Sequence, residues 1–167
     1  MMTDRRTVIA AGTALTALAA SGAGAQQPTS GTADPAKGPS ELMEIIHIWA
    51  DEKGVSHVGR IRVAGSPKRL PATGVAATSI AQGTEDWHIA PSKTFTINVV
   101  GDIEAEVSDG TKVKIGKGDL VYLEDRTGKG HITRLLTPVA NLFIRMPDDF
   151  DIKAWASGPA STGSIWG

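Results

Sequence analysis

Four histidines and no cysteine set the chemistry open to this chain of 167 residues. Without thiols there are no disulfide staples, thiolate ligands or Cys nucleophiles, so imidazoles and carboxylates are the strong ligands that remain. Two of the histidines stand in segments with distinctive spacing. His88 lies in Asp86-Trp87-His88-Ile89-Ala90-Pro91, and His131 closes a run from Gly118-Asp119 through Glu124-Asp125-Arg126-Thr127 to Gly128-Lys129-Gly130-His131. His57 sits in an alternating stretch. If it faces inward, so do Gly59, Ile61 and Val63, which leaves Arg60 and Arg62 in water and makes His57 a candidate third ligand. Glu124 shares parity with Leu120 and Tyr122 just ahead of the loop carrying His131, and Asp86 lies two residues before His88. Either carboxylate would turn two imidazoles into a two-His-one-carboxylate set suited to a divalent transition metal.

Simpler readings stand beside these. An inward histidine is often a hydrogen-bonded core residue, which applies to His57 and equally to a polar pocket role for His88 and His131. His47, between Ile46 and Ile48, reads as structural or exposed. Asp125 reads as a cap for the loop that follows, and Trp87 as either a packing residue or an aromatic wall. Other chemistries are missing from the sequence: there is no G-x-S-x-G, no H-E-x-x-H, and neither Gly-Lys-Gly triplet has the upstream glycine of a phosphate loop. Both triplets read as turns with a solvated lysine at the tip.

The elements that must hold these residues are strands. The chain is 41% apolar and 21% charged, values of an ordinary globular domain, and 19 Gly with 9 Pro break it into short runs. Runs rich in β-branched residues span Met43 to Ala50, Val55 to Val63, Thr94 to Val100, Ile103 to Val107, Thr111 to Ile115, Asp119 to Glu124, His131 to Leu136 and Val139 to Met146. Ser66 to Gly83 reads as a long loop across one end. The segment after Asp151, with Trp155 and Trp166, reads as a flap or a disordered tail. In the strand Thr94 to Val100, Thr94, Thr96 and Asn98 share one face and Phe95, Ile97 and Val99 the other. The apolar face needs a cover from the second sheet, the tail or another subunit, and partial coverage by a partner, hence a homodimer, is the favoured expectation. Lys plus Arg number 17 against 18 for Asp plus Glu, a formal net charge of −1, so no nucleic-acid partner is expected.

Residues 1–25 read as an address. Arg5-Arg6 opens a weakly apolar run, Val8 to Ala20, that is shorter than the roughly 18 residues of a membrane span and leads to Ala23-Gly24-Ala25. The segment resembles a twin-arginine export signal, with a Sec signal as the alternative, and either places the protein in the periplasm or outside the cell with no stable membrane anchor after cleavage. Residues 26–40, rich in Pro, Gly, Ser and Thr, read as a disordered tether, followed by a barrel over 41–150 and a tail over 151–167.

The two histidine-bearing segments resemble the motifs of the cupin family. There a first motif carries His-x-His, a Glu and a closing Gly, and a second begins Gly-Asp and ends Gly-x-x-His. The resemblance implies an all-β fold, an antiparallel β-barrel of the double-sheet jelly-roll kind with a pocket open at one end. Carried over position by position, His88 matches the first histidine, Ala90 stands at the second, Thr94 at the glutamate and His131 at the last. Two ligands of four remain. With the glutamate position inward, the implied pocket comprises His88, His131, Thr94, Thr96, Asn98, Trp87 and Tyr122. A divalent metal (Fe, Mn, Zn or Ni) bound weakly by His88 and His131 would draw on His57, Glu124 or Asp86. Three functions follow in order: a barrel binding a small-molecule ligand, a metal-dependent oxygenase, isomerase or lyase, and a structural or partner-binding barrel without a pocket role.

Cleavage after Ala25 is the first testable consequence. The intact mass of the exported protein should correspond to a chain beginning at Gln26, and Arg5→Lys with Arg6→Lys should arrest export if the twin-arginine route is used. Full-length chain in the soluble periplasm would contradict the cleavage.

Overall fold

The computed structural model describes residues 43–64 and 67–162; the signal, the tether and Trp166 lie outside the described residues. Ten strands and one short helix follow one another: β1 (Glu44–Ala50), β2 (Ser56–Arg62), β3 (Gly74–Ile80), β4 (Gly83–His88), β5 (Thr94–Val100), β6 (Ile103–Val107), β7 (Lys112–Ile115), β8 (Leu120–Glu124), β9 (His131–Leu135), β10 (Val139–Arg145) and α1 (Ile152–Ser157). A six-stranded sheet runs β2-β1-β8-β5-β10-β3 and a four-stranded sheet runs β4-β9-β6-β7. Neighbours pair antiparallel except β1 with β8, which are parallel. This is an all-β, double-sheet architecture of the jelly-roll kind.

The small sheet obeys simple alternation. Ile103, Ala105 and Val107 on β6 and Val113 and Ile115 on β7 point into the barrel. Glu104 and Glu106 point out and form ion pairs with Lys112 and Arg134, the shortest at 2.8 Å between Arg134 and Glu106. The central strands of the large sheet are buried on both faces. Ile46, Ile48, Val121 and Val139 pack against the small sheet, while Ile45, Phe95 and Tyr122 form a second core with Phe150, Ile152 and Ala156 on the outside. Strands covered on both sides lose the apolar-polar alternation, which is why β1 reads as an almost continuous apolar run.

The C-terminal segment is therefore a flap. Asp151 caps α1 by accepting from the backbone N–H groups of Lys153 and Ala154, and Lys68 donates to the carbonyls of Trp155, Gly158 and Pro159 just past it. Phe95 sits 4.7 Å from Tyr122, 6.0 Å from Phe150 and 5.8 Å from Trp155, ring centre to ring centre. The apolar strip at Phe95 is thus covered by the chain's own tail, where a second subunit was expected; Val99 and Val100, at the far end of β5, remain exposed. A second correction concerns Ser66 to Gly83, which contains β3. That strand is an edge made of small, exposed residues, so burial imposes no period on its sequence.

His57 also lies elsewhere than expected. It stands opposite Trp49 in the β1–β2 register, on the outer face that Ile61 and Val63 share, and not toward the interior. Its Nδ1 lies 2.7 Å from Asp109 Oδ2 and its Nε2 3.4 Å from Asp51 Oδ2. Ser108 Oγ also accepts from the Ser56 N–H, and Ser56 O accepts from the Asp109 N–H, so this corner ties β2 of one sheet to the β6–β7 turn of the other. The loop carrying Gly128-Lys129-Gly130 is pinned as tightly. Gly128 and Gly130 both have positive φ, and a Cβ would collide with the Gly54 carbonyl at the first and the His88 carbonyl at the second. Lys129, read as a solvated tip, lies 3.5 Å over the Trp87 ring.

Two measurements follow. Hydrogen bonds from Asp109 first, then Asp51, raise the His57 pKa above its ordinary 6.5. The stabilisation is therefore fully present below about pH 6.5 and is lost as pH rises through the raised value. The difference in Tm between wild type and His57→Gln should accordingly be larger near pH 5.5 than near pH 8.5; the reverse order would exclude the ion-paired corner. Gly130→Ala should lower stability by on the order of 3 kcal/mol in denaturant titrations, combining a left-handed backbone with a backbone collision. Gly110→Ala is the control. Gly110 has φ +89 with open space around it, and that variant should lose only about 1 kcal/mol.

Candidate functional site

The pairing of β4 with β9 sets His88 directly opposite His131. Residues opposed across antiparallel strands bring their Cβ atoms within about 5.5 Å, and here the imidazole centroids are 4.4 Å apart with their planes 58° from parallel. Each ring is anchored through Nδ1. That of His88 lies 2.6 Å from the Asp86 carbonyl oxygen, and that of His131 lies 2.6 Å from Oδ2 of Asp125, a fully buried carboxylate. A carbonyl accepts only, so His88 carries its proton on Nδ1, and a carboxylate favours the same tautomer in His131. Nε2 of each ring is left as the unengaged nitrogen.

Both histidines line a cavity of about 180 Å³ between the two sheets, to which every strand except β2 contributes among the described residues. Its wall is mainly aliphatic, with Phe143 as the aromatic member. The polar lining comprises Glu85, His88, Thr96, His131, Thr133 and Asn141. Thr96 Oγ1 and Asn141 Oδ1 are buried without a hydrogen-bond partner.

Of the residues named from sequence, the structure brings His88, His131 and Thr96 to this cavity. The others lie elsewhere for definite reasons. His57 is on β2, the strand that contributes nothing to the lining. Glu124 and Tyr122 do share parity, but that parity is the outer face of the large sheet. Glu124 Oε1 is 2.6 Å from Nε2 of the buried His47, with Lys93 3.9 Å from its other oxygen. Tyr122 is packed under the tail, where burial, the largest cause, and the Glu124 and Asp151 charges push its hydroxyl pKa up. Asp86 is exposed, and its Oδ1 accepts from the Trp87 N–H. The register between β4 and β9 shifts between Glu85 and His88, so the cavity-facing acid is three residues before His88 and not two. Trp87 faces Lys129 instead of the cavity. Thr94 bonds to Ser92, and Asn98 donates to the Gly101 carbonyl at 2.7 Å; both are buried and neither lines the cavity.

Sequence reasoning missed Glu85, Asn141 and the part played by Asp125. Glu85 was hidden by the register shift. Asn141 sits in a strand whose apolar neighbours drew all the attention. Asp125 was taken for a loop cap, and its signal was an acidic residue six positions before His131 at the end of a strand.

The donor set falls short of a metal site. Among the described residues no three His, Asp or Glu side chains converge on one point, and Ala90, which lines the cavity, offers no side-chain donor. Two imidazoles alone are fewer than the three protein ligands a catalytic metal ordinarily has. What the arrangement provides is a pair of fixed imidazole nitrogens in the polar part of the cavity lining.

No family model matches the chain, and no curated protein matches it. Among solved structures it is similar to protein NMB1881 from Neisseria meningitidis, at 19% identity over 49% of this chain and 84% of that one, with a TM-score of 0.38. A putative ethanolamine utilization protein Q from Salmonella typhimurium gives 11% identity over 64% of this chain and 98% of that one, with a TM-score of 0.37. The Clostridium difficile EutQ protein gives 14%, 66%, 98% and 0.38 for the same quantities.

Proposed function

We propose that the chain is an exported barrel protein that binds a small molecule in its cavity, with His88 and His131 as the recognition centre. One observation carries the reading. Two imidazoles from different strands meet at 4.4 Å, each tethered through Nδ1, at the end of an otherwise apolar cavity. Holding both rings by one nitrogen leaves the other for an occupant. The orphaned Thr96 and Asn141 oxygens support the same reading, since a buried polar atom without a partner costs about 1–3 kcal/mol.

A second reading, a metal-dependent enzyme, is favoured by the same tethering, because metal-bound histidines ordinarily donate their other N–H to a carboxylate or carbonyl. A third donor would have to come from the occupant. Elemental analysis of the dialysed mature protein separates the two. The binding reading expects divalent metal well below one equivalent and a small molecule released on denaturation that His131→Ala no longer retains. A full equivalent of metal, lost together in His88→Ala and His131→Ala, would favour the second reading. A wild-type chain that carries neither metal nor ligand and saturates with none would leave only the structural barrel.

A further inference from the structure

We infer that the cavity takes an uncharged, compact hydrocarbon carrying a hydroxyl group, a small phenol or alcohol, and selects against organic anions. The inference rests on the binding reading above and adds the chemical class of the occupant. The body of that occupant follows from the wall. Ile48, Ile103, Val121, Leu135 and Phe143 line a space of about 180 Å³, which suits one ring or a short branched chain and not a sugar or nucleotide.

The functional group follows from the lone pairs. His88 and His131 have their Nδ1 atoms tied to Asp86 and Asp125, so in their neutral forms both present an accepting Nε2. Asn141 Oδ1 is a third acceptor without a partner. Against these, the buried Thr96 hydroxyl is without a partner and can donate as well as accept. An occupant that only accepts, such as an ether or ketone, leaves most of this set unsatisfied, whereas a hydroxyl donates to an imidazole and still has lone pairs for Thr96.

Charge decides the rest. Among the described residues no Lys or Arg lines the cavity; Glu85 stands in its wall, and the buried Asp125 carboxylate stands directly behind His131. A carboxylate or phosphate would face these two acids with no Lys or Arg in the described lining to offset them. An ammonium meets the opposite difficulty, because Asp125 is already engaged by His131 and Glu85 is exposed and strongly hydrated. A neutral donor needs neither.

The test is calorimetric or NMR titration of the purified mature chain with phenol, toluene, anisole, benzoate and benzylamine. Phenol should bind at least tenfold more tightly than each of the others. Thr96→Val removes an unpaired hydroxyl at nearly constant shape, so it should keep or raise Tm while weakening phenol several-fold and leaving toluene unchanged; His131→Gln provides a second variant with the same expected selectivity loss. Equal affinity for phenol and toluene would overturn the inference, as would tightest binding of benzoate or benzylamine, and both results would leave cavity binding standing. Saturable binding of none of the five would overturn the inference, and a mature chain that also carries no molecule from its source would overturn the binding reading with it.

Discussion

Because the central strands of the six-stranded sheet are covered on both faces, by the small sheet inside and the tail outside, β1 carries large side chains at nearly every position. Ile45, Ile46, His47 and Ile48 are all buried in succession. Most of the remaining architecture depends on this double cover. It gives the molecule two cores, Ile46 and Val121 belonging to one and Ile45 and Tyr122 to the other, and it commits residues 146–156 to packing. It also creates a buried polar cluster far from the cavity, where Glu124 satisfies His47 against the flat ring of Trp49 at 4.9 Å. A histidine under a flap needs such a partner, since burying its ring nitrogens unpaired would cost more than the apolar contacts around it return.

The same double cover explains which parts of the structure were legible in the sequence. On β6 and β7 one face is wet, and apolar residues that point in alternate with charged residues that point out. On β8 the pattern of Leu120, Tyr122 and Glu124 correctly grouped the three residues but could not say which buried face they joined, so Glu124 was aimed at the wrong one. His57 failed for a related reason. Ile61 and Val63 are buried as their composition suggests, but beneath the tail, and the parity argument carried His57 outward with them. The β3 strand, at an edge and largely exposed, left no apolar period to read.

His88 and His131 were legible through the spacing of the two segments that resemble the cupin motifs, and glycine holds the second of these segments in place. Gly130 is wedged against the His88 carbonyl and Gly128 against the Gly54 carbonyl, contacts that no other residue permits. A turn of that kind is written in residue identity and survives without knowledge of the faces. Glu85 was lost to the register shift between Glu85 and His88, since the two-residue rule holds only while the ladder is regular.

The loop glycines and the buried Asp125 together determine how the imidazoles are presented. Close approach at Gly130 fixes where β9 begins relative to β4, which places the rings opposite one another; Asp125, at the end of β8, then fixes the tautomer and rotation of His131. Position and orientation therefore come from different strands. A cavity wall built from nine strands has little freedom to shift, and a hydrogen-bonding group held in a rigid apolar wall loses no conformational entropy when a partner arrives. In such a setting two well-held acceptors discriminate between occupants more sharply than they would in water. The price is paid in the empty cavity by Thr96 and Asn141, whose unpaired oxygens destabilise the barrel until something polar enters.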